Sequence, residues 1–146
     1  SGEIDTTRVA MHPGSVQGFG VLGDERIPVF LLPSNPVSAL VIAEMIVRPL
    51  IRRSFGAPTT KRQTVRARSL RQIESIEGRR GYIRARLMRD SESGEYLVEP
   101  LSVLEAGPTH LLAGFAEANA MIHLPEGAVQ VRPGDEVAVE FMRQRS

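Results

Sequence analysis

The sequence predicts an incomplete α/β domain followed by a small all-β barrel. Three features point there: one helix apolar round most of its circumference, a proline- and threonine-bearing break near residue 57, and a run of short alternating strands beyond it. The chain has 146 residues, 42% hydrophobic and 24% charged, which is a soluble globular composition. That length suits one domain or two small ones and is enough for a real core.

Residues 1–56 carry the α/β pattern. Thr7 to Met11 is a strand candidate, stopped by His12-Pro13-Gly14. Gly18 to Leu22 is a second, ending in the turn signal Gly23-Asp24-Glu25. Pro28 to Leu32 is a continuous apolar run, the pattern of a strand buried on both faces, as in an open parallel sheet. Asn35 then suits an N-cap, and Pro36 suits the first helical position, where its missing N–H costs nothing. The helix is expected to reach about Ser54, kinked or broken near Pro49, and to end at Gly56. Arg48, Arg52 and Arg53 suit the negative end of its dipole.

Val37, Leu40, Val41, Ile42, Met45, Ile46, Val47, Leu50 and Ile51 leave that helix little polar surface. A helix of this kind must be covered on several sides, and three short strands cannot do so. Residues 1–56 are therefore expected to be part of a larger layered domain, covered by other chain segments or by a second copy, or else left with an artificially exposed face. The chain starts at Ser1 without an initiator Met, as a segment of something longer or a processed product would.

Residues 57–62 read as a linker and 63–146 as mostly β. Thr64 to Leu70 and Tyr82 to Leu87 alternate with period two. Asp90 to Glu95 is a hairpin connection into Tyr96 to Glu99, and Met121 to Leu124 and Glu136 to Phe141 complete the strands. Pro133-Gly134-Asp135 marks the last turn, and Pro108 to Phe115 suits a short helical turn. Strands at this spacing predict a small antiparallel barrel or sandwich.

Composition excludes several classes. With no Cys there is no disulfide framework, thiolate metal site or Cys nucleophile. A formal charge of +1, 5% aromatics and no Trp argue against nucleic-acid or membrane partners. The most apolar stretch, Val37 to Ile51, is interrupted by Glu44 and Arg48 and is too short to span a bilayer. The N-terminus lacks the order of a signal peptide, so a cytoplasmic location is expected. Lys61 is the only lysine among 18 basic residues, a bias spread over the whole chain that marks no site.

Three places could hold chemistry. The loop Pro33-Ser34-Asn35-Pro36-Val37-Ser38 puts a helix N-terminus next to a strand end, where backbone donors favour phosphate. Ser38 could add a hydroxyl, although a capped helix without a ligand reads the same way. His12-Pro13-Gly14-Ser15 is a turn that lets backbone approach a ligand, or a plain surface turn. In the β half, Arg84 and Arg86 share a strand face, ordinarily a solvated one, and Thr109-His110 precede Leu111 and Leu112. His12, His110 and His123 lack metal-ligand spacing, and no P-loop, dinucleotide fingerprint or nucleophile elbow occurs.

These residues, in order, resemble the MoeA/gephyrin family of molybdopterin molybdenumtransferases. The resemblance rests on Val9-Ala10-Met11-His12-Pro13-Gly14, Gly18-Phe19-Gly20, Leu32-Pro33-Ser34-Asn35-Pro36-Val37-Ser38-Ala39 and Val47-Arg48-Pro49-Leu50. It continues through Gly107-Pro108-Thr109-His110-Leu111, Ala116-Glu117-Ala118-Asn119, Leu124-Pro125-Glu126-Gly127 and Gly134-Asp135-Glu136-Val137. It implies that residues 1–56 end a MogA-like three-layer α/β domain that binds molybdopterin, and that 63–146 form the C-terminal β-barrel domain.

The resemblance also implies a function. The family inserts molybdate into adenylylated molybdopterin and releases AMP, with Mg²⁺ as cation, and works as a homodimer. Carried over, His12, Pro13, Gly14 and Ser15 with Ser34, Asn35 and Ser38 line the phosphates. Arg84 and Thr109 match barrel positions near the site. The acidic catalytic and metal-holding residues are expected outside this sequence, which alone would be inactive. The family often has Lys where His12 and Ser15 stand and Gly at Ser34, and Thr109 stands where a Ser is usual. Two other classes remain open: a non-catalytic gephyrin-like scaffold module, and a molybdopterin adenylyltransferase domain, against which the appended β half argues.

Overall fold

The computed structural model describes residues 1–101, 116–128 and 130–142. The chain divides into two compact units, Ser1–Thr60 and Lys61–Ser146.

In the first unit, β1 (Gly2–Asp5), β3 (Gly18–Leu22) and β4 (Ile27–Leu31) form a sheet in the order β1-β3-β4, antiparallel throughout. The N-terminal residues, to which the sequence pattern assigns no element, supply its first strand. Gly20 sits opposite Ile4, and a Cβ there would collide with the Glu3 carbonyl, so glycine sets how closely β1 approaches. Phe19 and Phe30 face each other across β3 and β4 with ring centroids 5.0 Å apart. The expected strand at Thr7 to Met11 shrinks to β2 (Met11–His12).

Two expectations fail here. The apolar run at Pro28 to Leu32 is not buried on both faces: β4 is half-buried to exposed, with Ile27 56% exposed. Its pairing with β3 is antiparallel, not part of a parallel sheet. An apolar run records the need for two covering layers, and the described residues of this unit do not supply both.

After Asn35 the chain is helical without interruption to Ser54: α1 (Pro36–Ile42), a π-helical turn (Ala43–Val47) and α2 (Arg48–Ser54). The proline explains the middle piece. Pro49 has no N–H, and its ring crowds the carbonyl four residues back, at Met45. The turn widens so that the Arg48 N–H reaches Ala43, five residues back, and the helix continues. The helix ends ahead of Gly56 (φ +70°), where the Gly56 and Ala57 amides reach the Arg53 and Arg52 carbonyls. Burial confirms the uneven cover of this helix. Val37, Val41 and Ile42 are buried, whereas Leu40, Leu50, Ile51 and Phe55 are exposed, Phe55 by 87%.

The second unit is a β-barrel. Its strands are β5 (Thr64–Ser69), β6 (Ile73–Glu74), β7 (Arg80–Arg89), β8 (Tyr96–Pro100), β9 (Ala120–Leu124), β10 (Gln130–Val131) and β11 (Glu136–Phe141). The order β7-β8-β5-β11-β9 closes because β7 also pairs with β9, and β6 pairs with β10 as a separate ribbon. All barrel pairings are antiparallel except β5 with β8. Period-two alternation fills the inside: Ala67, Ala85, Val98, Ile122, Val137 and Val139 are buried in one cluster. The outer faces of its strands carry ion pairs, among them Arg68–Glu95 (3.4 Å), Arg71–Glu99 (2.9 Å) and Arg80–Glu126 (3.3 Å). The expected helical turn at Pro108 to Phe115 lies outside the described residues.

Candidate functional site

The Asn35–Ser38 loop is built by its own cap. Asn35 is extended (φ −69°, ψ 118°) and its Oδ1 accepts the Ser38 N–H at 3.1 Å. Pro36 has no N–H, and the Ala39 N–H reaches the Asn35 carbonyl at 3.0 Å. The first turn therefore offers an incoming anion the Val37 N–H and the Ser38 hydroxyl, fewer donors than an uncapped helix end. Ser34 is exposed beside it.

The second predicted segment is a tight turn. The His12–Pro13 bond is cis and Gly14 has φ +110°, a backbone region that side chains rarely allow. A Cβ on Gly14 would stand 3.0 Å from Ile42 Cγ1 and 3.2 Å from Met11 Cε. This contact links the two predicted segments. Ser38 lies four residues before Ile42, on the same face of the helix, so the His12–Ser15 turn packs one helical turn from Ser38.

A residue that sequence reasoning missed holds that turn. Gln17 Nε2 donates to the Gly14 carbonyl at 2.9 Å and lies 3.2 Å from Met11 Sδ. The Val9 N–H donates to the Ser15 carbonyl at 3.0 Å. A glutamine three residues after a Pro-Gly turn was the available signal.

In the second unit, Arg84 departs from the expected solvated face. Arg86 is exposed and pairs with Glu117 at 3.7 Å, but Arg84 is only 5% exposed. Burial pulls the Arg84 guanidinium below its ordinary pKa, although an arginine at neutral pH stays charged. Alternation assigns Arg84 to the outside of the barrel; it does not reveal whether that outside is wet. Thr109 lies outside the described residues.

The second unit also holds an open groove of about 950 Å³, lined by Tyr82, His123, Pro125, Gln130 and the Arg66–Glu136 pair. His123 Nε2 lies 3.1 Å from Glu140 Oε2, and its ring meets Tyr82 edge-on at 5.2 Å. None of the predicted site residues lines this groove. Among the described residues, no three His, Asp or Glu side chains converge to hold a metal ion. No described helix is long and apolar enough to cross a membrane.

Comparison with known proteins adds to this geometry. The family model for the MoeA C-terminal region (domain IV) matches residues 66–142. Molybdopterin molybdenumtransferase 1 of Mycobacterium tuberculosis is 55% identical over 143 residues, covering 98% of this chain and 34% of its own length. The molybdopterin molybdenumtransferase of Haemophilus influenzae is 31% identical over 140 residues, covering 95% of this chain and 33% of its own. A crystal structure of a molybdopterin biosynthesis MoeA protein from Pyrococcus horikoshii superposes with a TM-score of 0.76 at 26% identity, over 99% of this chain and 33% of that one. The chain thus spans about a third of the length of these relatives. With the matched region covering more than half of its residues, this chain belongs to the MoeA family.

Proposed function

We propose that this chain is the carboxyl-terminal part of a molybdopterin molybdenumtransferase, and that its first unit ends a MogA-like α/β domain. The reaction is insertion of molybdate into adenylylated molybdopterin with release of AMP. The observation that carries the proposal is the packing of the His12–Ser15 turn against Ile42, one helical turn from Ser38, which gathers two donor-bearing segments at one helix face.

In this reading the turn and the capped helix end hold the phosphates that link pterin and nucleotide. The Val37 amide and Ser38 hydroxyl are donors at the helix tip, and His12 adds an imidazole beside the turn. Pro36 and the Asn35 cap stiffen the loop, so the donors are oriented before the ligand arrives. Ser34 flanks the loop, and Arg84 and Thr109 are the substrate-binding residues that the family resemblance assigns within the second unit. Homodimerisation and a cytoplasmic location follow from the same reading.

The test is calorimetric titration of AMP into the complete gene product that contains residues 1–146. Ser38→Ala is expected to weaken binding by about 1–3 kcal/mol, the scale of a lost hydrogen bond to a charged group. Unchanged affinity removes the helix tip from the phosphate site.

A further inference from the structure

We propose that Gln17 is a positioning residue whose carboxamide aims the backbone amides of Ser15 and Val16 at a bound phosphate. The inference rests on the reading of the His12–Ser15 turn as a phosphate site, and names what sets its donors.

The argument is geometric. A trans peptide is planar, with its C=O and N–H pointing in opposite directions. The Gly14 carbonyl and the Ser15 N–H belong to one peptide unit. Gln17 Nε2 pins that carbonyl at 2.9 Å, so the Ser15 N–H points away from Gln17. The Ser15 carbonyl is pinned by the Val9 N–H at 3.0 Å, which turns the Val16 N–H away from Val9. Neither amide donates to an acceptor among the described residues. Successive backbone amides held this way make a concavity for an anion. The turn cannot relax inward, because Gly14 already lies against Ile42 and the buried Met11. The turn itself has no Lys or Arg, so its backbone amides are its permanent donors.

The experiment uses the ¹⁵N-labelled 146-residue chain, with inorganic phosphate, AMP and adenosine as probes. Phosphate and AMP are expected to move the Ser15 and Val16 amide resonances, and adenosine to leave them in place. Gln17→Met keeps length and bulk but has no donor. Gln17→Glu sets a carboxylate against the Gly14 carbonyl. Both are expected to lose at least fivefold in AMP affinity while adenosine affinity and melting temperature hold. A merely structural Gln17 would lower the melting temperature and move AMP and adenosine alike, which overturns the inference. AMP affinity retained in both variants, with the wild-type amides still responding, overturns the inference and leaves the phosphate reading standing. Wild-type amides unmoved by phosphate and AMP overturn both.

Discussion

The carboxamide of Asn119 straddles the backbone of Leu87: its Oδ1 accepts the Leu87 N–H at 2.7 Å, and its Nδ2 donates to the Leu87 carbonyl at 3.0 Å. The β7–β9 ladder runs only to Ala85 opposite Ala120, and the Asn119 N–H adds a bond to the Ala85 carbonyl at 3.2 Å. One step further along β7 a side chain stands in for a strand. This closes the barrel where β9 begins.

Asn119→Ala should therefore destabilise the barrel by about 1–3 kcal/mol, since two backbone groups lose their partners together. Asn119→Asp keeps the acceptor but sets a carboxylate oxygen against the Leu87 carbonyl, and should cost at least as much. Denaturant midpoints at constant slope measure both.

Asn35 and Ser38 should separate in their effects. Asn35 caps the helix, so Asn35→Ala should cost about 0.5–2 kcal/mol of stability as well as any ligand affinity. Ser38→Ala leaves the capping bond from its own N–H to Asn35 Oδ1 intact and should lower AMP affinity with little thermal change. Melting curves alongside calorimetry distinguish the two; equal stability losses would assign both residues to the cap alone.

Asp90 gives the barrel an acid-sensitive hairpin. Its Oδ1 accepts the Glu92 N–H at 2.8 Å and the Ser93 N–H at 3.4 Å, and these bonds hold its carboxyl below the ordinary aspartate pKa. The folded value lies below the unfolded one. The stabilisation is thus fully present above about pH 3.9 and is lost as pH falls through the folded pKa. Amide exchange in the β7–β8 hairpin should accelerate over that acid range, and Asp90→Asn, which keeps an oxygen acceptor, should flatten the dependence.

The exposed apolar side chains of the helix, Leu40, Leu50, Ile51 and Phe55, predict self-association or dye binding by the isolated chain. Sedimentation and a polarity-sensitive dye measure this. Leu50→Glu with Phe55→Ser should shift the chain toward monomer and reduce dye fluorescence. Monomeric wild type with no dye signal contradicts it.

The barrel was largely legible because its code is local. Alternation at Thr64 to Leu70, Tyr82 to Leu87 and Glu136 to Phe141 has period two, and the Pro133-Gly134-Asp135 turn ties the Arg132 N–H to Asp135 Oδ2 at 2.8 Å. The two-residue strands β6 and β10 are too short to show a period. In the first unit, the Asn35 cap and the helix to Ser54 were readable, but the widening before Pro49 was not. A proline announces a missing hydrogen bond without saying whether the helix breaks or opens a turn. The strand Pro28 to Leu32 misled because apolar content reports what a segment needs, not what covers it. At the candidate site, residue types gave the turn and the loop. Their meeting through Ile42, the burial of Arg84 and the grip of Gln17 on Gly14 depend on tertiary packing.

The most direct measurement is molybdate-dependent release of AMP from adenylylated molybdopterin by the complete gene product that contains residues 1–146. AMP should appear as metal enters the pterin dithiolene, and Gly14→Val, which forces a side chain against Ile42 at a positive φ, should suppress it by an order of magnitude or more. Release of no AMP by the intact wild-type protein, with substrate and molybdate present, would contradict the account.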